Sequence, residues 1–239
     1  MQDKHIASAF DRDLETIQAL IMKMGGLVED SILKGATSLE TRDEELAEEV
    51  RAGDRAIDAL EERINEEVAR VIALRQPMSV DLRIILTVMK ISSNLERIGD
   101  YAKNMAKRTT VLAQMGQIAG AASSIRRMAR EVQHMLKDVL DAYVQRDEEL
   151  ARAVMHRDAD VDQMYNALFR EFLTFMMEDP RNITACMHLH FIAKNTERMG
   201  DHVTNIAEQV IYLVTGEPPE DKRPKDDRTS HDPNVAPAQ

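Results

Sequence analysis

This chain has no Trp, a single Cys, few aromatic residues and almost no Pro in its body. One cysteine, Cys186, rules out an internal disulfide, which suits a reducing compartment. It lies in an apolar helical stretch and reads as a small buried hydrophobe. Five of the seven Pro follow residue 216, leaving Pro77 and Pro180 as the only breaks of that kind within the body. No unbroken apolar run reaches the roughly 18 residues of a membrane span, and no apolar segment follows Met1-Gln2-Asp3-Lys4-His5 as in a secretory leader. A basic balance is missing too. The net charge of −11 argues against nucleic acid, whose binders carry a basic face. The short cluster Arg126, Arg127 and Arg130 reads as a solvated helix face.

Catalytic motifs are equally scarce. The body has no glycine-rich phosphate loop, no His-Glu-x-x-His motif, and no Ser or Cys with an evident base. The paired Glu-x-x-His motifs that di-iron bundles place on facing helices are absent. Alternating β-branched runs bounded by tight-turn dipeptides are also missing, so the chain reads as all-α.

What is present is a duplication. Asn94-Leu95-Glu96-Arg97-Ile98-Gly99-Asp100 returns as Asn195-Thr196-Glu197-Arg198-Met199-Gly200-Asp201, 101 positions later. Each copy continues to an Asn, Asn104 and Asn205. Upstream, Arg42-Asp43-Glu44-Glu45-Leu46 returns as Arg146-Asp147-Glu148-Glu149-Leu150 at an offset of 104, which also carries Asp54 and Asp58 onto Asp158 and Asp162. Six long helices follow from the apolar periodicity. They start near Lys4, Arg42, Ser79, Ala119, Arg146 and Arg181, with a bend expected at Gly25-Gly26. Ser79 and Asp81 offer N-cap chemistry to the third helix, whose apolar stretch Leu82 to Ile91 suggests a buried central element. The expected architecture is two tandem, pseudo-symmetric three-helix bundles in an elongated molecule, over residues 1–115 and 116–216. A charged, Pro-rich tail at 217–239 is expected to be disordered.

Glu and Asp at i and i+4 share one helix face, and hairpin arithmetic brings further acids to them. Asp58 and Glu96 are each 19 residues from Pro77, and Asp54 and Asp100 each 23. Asp162 with Glu197, and Asp158 with Asp201, are likewise centred between Asp179 and Pro180. Four carboxylates per half are expected at matching heights, where they repel unless something positive joins them. Three readings remain open. They are a metal site, a network neutralised by Arg97 and Arg198, and a solvated acidic face for a basic partner. Asn104 and Asn205 lie one turn further along the same faces and are candidates for carbonyl or supporting ligands. Gly99 and Gly200 read first as points of close helix approach. His188, His190 and His202 have no counterparts in the first half and read as surface or interface residues.

These residues closely resemble the PhoU family of phosphate-specific transport accessory proteins. The resemblance rests on Asp43, Asp54, Asp58, Gln76-Pro77, Asp81-Leu82-Arg83, Glu96-Arg97-Ile98-Gly99-Asp100 and Asn104 in the first half. In the second half it rests on Asp147, Asp158, Asp162, Glu197, Arg198, Gly200, Asp201 and Asn205. Asp179-Pro180-Arg181 departs from the Gln-Pro and Asp-Leu-Arg pattern, so that hairpin end is expected to differ in its contacts. The resemblance implies a PhoU-like helical fold and a cytoplasmic, non-enzymatic negative regulator of the phosphate-starvation response and of phosphate uptake. Such a protein links the ATPase of the phosphate ABC transporter to a membrane sensor histidine kinase, commonly as a homodimer, and meets the membrane only through partners. It also implies multinuclear iron or zinc clusters, on Asp54, Asp58, Glu96 and Asp100 in one half and Asp158, Asp162, Glu197 and Asp201 in the other. The alternative is a metal-dependent enzyme or metal-storage bundle using the same acids.

Overall fold

The repeated Arg-Asp-Glu-Glu segments turn out to be helix corners. Arg42 and Arg146 both take the left-handed conformation at φ 58°, ending one helix. The Asp that follows caps the next, Asp43 accepting from the Leu46 N–H at 2.9 Å and Asp147 from the Leu150 N–H at 3.0 Å. The computed structural model describes residues 2–219, so the expected tail lies outside the described residues from 220 onward. Among the described residues there are six α-helices: α1 (Gln2–Thr41), α2 (Glu44–Arg75), α3 (Val80–Leu112), α4 (Ala121–Gln145), α5 (Glu148–Glu178) and α6 (Ile183–Thr215), with a 3-10 turn over Pro180–Asn182. No strand occurs among the described residues. Gln76, left-handed at φ 49°, ends α2 just before Pro77.

Two local expectations are corrected. Ser79 stands at the N-cap of α3 but makes no capping hydrogen bond. α1 runs through Gly25-Gly26 as one helix, because the glycine serves packing instead of a break. A methyl on Gly25 would overlap the Leu140 side chain of α4, whereas one on Gly26 would meet nothing within 4 Å.

α1, α2 and α3 pack on one another, as do α4, α5 and α6. The two groups join through α3 against α6 and α1 against α4, closing a four-helix ring flanked by α2 and α5. Partner residues fix the directions. Asn94 meets His202 while Arg108 meets His188, so α3 and α6 are antiparallel. Glu40 meets Arg126 while Glu29 meets Gln133, so α1 and α4 are antiparallel too. Buried apolar residues of all six helices form one continuous core. Each fully buried Ile, such as Ile98 or Ile206, contributes about 1.5–3 kcal/mol relative to exposure. The two repeats therefore share their interior. α3 is central as expected, but not buried on every side: Leu82, Leu86 and Met89 face solvent.

Candidate carboxylate sites

Each site is built by a hairpin, α2–α3 in the first half and α5–α6 in the second, and each hairpin is drawn close by the glycine of its motif. A methyl on Gly99 would lie 3.0 Å from Ile57 Cδ1 and 3.9 Å from Asp54 Oδ1. One on Gly200 would lie 3.4 Å from Val161 Cγ1 and 3.3 Å from Asp158 Oδ1. Ile57 and Val161, like Asp54 and Asp158, are related by the 104-residue offset, and the glycines by 101. The repeat thus builds the same approach twice.

In the first site Asp54 is buried, Glu96 and Asp100 are partly covered and Asp58 is exposed. Lys103 supplies the counter-charge. Its ammonium pairs with Asp54 and lies 3.5 Å from Asp100. Arg97 is more exposed and farther away, 3.5 Å from Glu96 and 3.9 Å from Asp100. Of the three readings left open, the charge-neutralised network is met here mainly by a lysine, with Arg97 at its edge. Because the turn spans residues 76–79, its midpoint falls beyond Pro77 and the register slides slightly. Glu96 lies near Glu61 of α2, an acid the sequence reading did not include, while Asp58 lies near Asp54, Asp100 and Lys103. Burial, reinforced by Asp100 and Glu61 and only partly opposed by Arg97, pushes the Glu96 carboxyl up to about 7. Partial desolvation at its base, with the Asp54 and Asp100 charges, also raises Asp58 although it reaches solvent, with Lys103 opposing.

The second site is drier. Asp158, Asp162 and Glu197 are all buried. Lys194 brings a cation to it, 2.9 Å from Glu197 and 4.9 Å from the centre of the Tyr165 ring. The two cations break the pseudo-symmetry. Thr204 occupies the repeat position of Lys103, and Ser93 that of Lys194. Both lysines sit three residues from a motif acid, a readable signal, but they fall at unmatched positions of the duplication.

The carboxylate oxygens are the donor type a hard cation takes. Among the described residues, however, no three His, Cys, Asp or Glu side chains are gathered closely enough to hold a metal ion, and an ammonium stands at each site. Donor chemistry fits a metal, and loading one requires the lysine pairs to open. Asn205 donates across the α3–α6 interface to Asn94 at 3.4 Å, so its amide is engaged there.

Two of these three histidines, His188 and His202, meet the other half, and the third, His190, stays within its own. Arg108 Nη1 lies 3.2 Å from His188 Nδ1, and His202 Nδ1 lies 2.8 Å from Asn94 Oδ1. His190 packs among Tyr165, Phe169 and Phe191. Cys186 is fully buried, and burial pushes its thiol up, away from nucleophilic character. In the basic cluster, Arg126 pairs with Glu40 and Arg127 donates to Ser124 at 2.9 Å. Among the described residues no helix is long and apolar enough to cross a membrane.

Known proteins share this arrangement. The PhoU domain matches residues 21–109 and again residues 125–210. A phosphate-specific transport system accessory protein PhoU homolog of Rhizobium meliloti is 46% identical over 230 residues, covering 96% of this chain and 97% of that protein. Its counterpart from Caulobacter vibrioides is 46% identical over 222 residues, covering 93% and 96%. The crystal structure of PhoU from Pseudomonas aeruginosa superposes with a TM-score of 0.84 at 39% identity, over 87% of this chain and 100% of that one. The phosphate transport system regulatory protein PhoU of Streptococcus pneumoniae gives 0.81 at 30% identity, over 88% and 99%. With both repeats matched and the full six-helix body shared, the chain belongs to the PhoU family.

Proposed function

We propose that this protein is a cytoplasmic negative regulator of the phosphate-starvation response and of phosphate uptake. It acts by binding, as an adaptor between the ATPase of the phosphate ABC transporter and a membrane sensor histidine kinase. The observation that carries the reading is near full-length similarity to phosphate-specific transport accessory proteins, at 46% identity over 96% of the chain. A shared core running through both repeats supports it, since a rigid body with two related faces suits simultaneous contact with two partners.

The acids Asp54, Asp58, Glu96 and Asp100, and Asp158, Asp162, Glu197 and Asp201, are proposed to hold iron or zinc clusters. Bound metal would supply positive charge to carboxylates that otherwise depend on Lys103 and Lys194. The adaptor reading is tested with purified components, measuring binding of the full chain to the transporter ATPase and to the kinase's soluble portion by calorimetry. Binding to both is expected. Failure to bind either, with and without phosphate and metal, sinks the adaptor role.

A further inference from the structure

Two rungs join α1 to α4, Glu40 with Arg126 and Glu29 with Gln133, and between them lies a cleft of about 350 Å³. Leu33 and Thr37 of α1 line it on one side, and Arg126, Arg130, Gln133 and His134 of α4 on the other. Every polar side chain there carries an N–H or O–H donor, and no Asp or Glu lines the cleft, although the chain's net charge is −11. The two acids of the rungs stand at its borders, each already accepting from a donor. Arg130, His134 and Thr37 are different: among the described residues their side chains have no hydrogen bond or ion pair. Arg126, Arg130 and His134 are spaced four apart, so they share one side of α4.

The duplication supplies its own control. At the 104-residue offset α1 maps onto α4, and buried positions match, Val28 with Val132 and Ile32 with Leu136. The donors do not match. Arg126, Arg130 and His134 fall on Met22, Gly26 and Asp30, while Thr37 falls on Asp141. Packing shared by the two repeats therefore does not account for the donor row, which belongs to one end of the α1–α4 pair.

We propose that this cleft binds inorganic phosphate. Donors stand on both walls, Thr37 on α1 and Arg130 with His134 on α4, which suits a ligand with acceptors in more than one plane. A tetrahedral oxyanion offers them, whereas a carboxylate has two oxygens in a single plane. Arg130 is the principal ligand, since a guanidinium forks onto two phosphate oxygens at once. Arg130 and His134 are exposed and Glu29 is near, so binding is weak, with a dissociation constant of about 1 mM. The inference rests on the phosphate-regulator reading and adds to it a place where the ligand itself is read.

The test is calorimetric titration of the full chain with sodium phosphate, ionic strength being held constant with sodium chloride. Saturable binding is expected. Arg130→Gln should weaken it by about tenfold through loss of the charge-assisted fork. Glu29→Gln should tighten it by about threefold, because a bordering negative charge is removed. Arg130 is exposed and unpaired, so melting of Arg130→Gln without phosphate should match wild type. The proposal is overturned if wild type shows no saturable binding up to about 20 mM phosphate, or if Arg130→Gln binds as tightly as wild type. It is also overturned if a glutamate-rich peptide or phosphatidic acid vesicles bind through Arg130 while free phosphate does not. These readouts do not depend on the regulatory reading. A chain that represses the phosphate-starvation response in cells but fails the titration loses only the cleft. One that binds phosphate but fails to repress counts against the regulatory reading instead.

Discussion

Lys103 of α3 reaches across the hairpin to Asp54 of α2, forming an ion pair whose carboxylate is only 4% exposed. Removing one partner of such a pair leaves a charge without compensation in a poorly solvated place. Lys103→Met is therefore expected to destabilise the protein by about 2 kcal/mol, less than for a fully buried pair because the lysine keeps some solvent contact. Adding Asp54→Asn should recover most of the loss. Urea denaturation of the single and double variants at pH 7.5 measures it, and an unaltered midpoint for the single variant would show that solvent or another cation already serves Asp54.

Glu96 makes the stability of the first site depend on pH. Its carboxyl is raised from 4.5 to about 7, so the folded state holds its proton more tightly than the unfolded state. Its stabilising contribution is complete below 4.5 and is lost as the pH rises through about 7. Glu96→Gln should accordingly match wild type at low pH and exceed it by about 1 kcal/mol at pH 8, allowing for partial exposure. Melting curves of both proteins across this range should diverge upward; parallel curves would contradict the assigned burial.

Two adjacent glycines should respond oppositely to the same change. Gly25→Ala drives a methyl into Leu140 and should cost about 1 kcal/mol net of the helix-propensity gain. Gly26→Ala meets open space and should stabilise α1 by up to about 1 kcal/mol. Thermal melts of the two variants decide it, and equal shifts would mean that α1 and α4 are not in such close contact there.

Metal content separates the uses of the acids. Protein purified without chelator or metal-affinity resin is expected to carry iron or zinc, and to lose it when Glu96, Asp100, Glu197 and Asp201 become Ala. Lys103→Met should tighten uptake in the first half, because the ammonium no longer competes for Asp54. Metal-free, well-folded wild type would return the carboxylates to lysine neutralisation and partner binding.

Much of this was legible in the sequence because the duplication constrains geometry. Gly99 and Gly200, read as points of close helix approach, do sit against Ile57 and Asp54 and against Val161 and Asp158, contacts related by the 104 and 101 offsets. Helix count and hairpin pairing follow from periodicity and from the breaks at Pro77 and Pro180. Three features were not legible. The cations Lys103 and Lys194 sit at unmatched repeat positions, so a comparison of copies passes over them. Glu61 entered because it lies three residues beyond Asp58 on the same side of α2, where counting from Pro77 singles out one position per turn. The solvent exposure of Leu82, Leu86 and Met89 depends on which sides of α3 are covered by α1, α2 and α6, a tertiary fact that local hydropathy does not carry.

The central claim, restraint of the phosphate-starvation response, is tested most directly by a phosphatase reporter in the source organism with this gene deleted, grown in abundant phosphate. The account expects strong derepression on deletion, reversed by the wild-type chain. Reporter activity that stays low without the protein would contradict it.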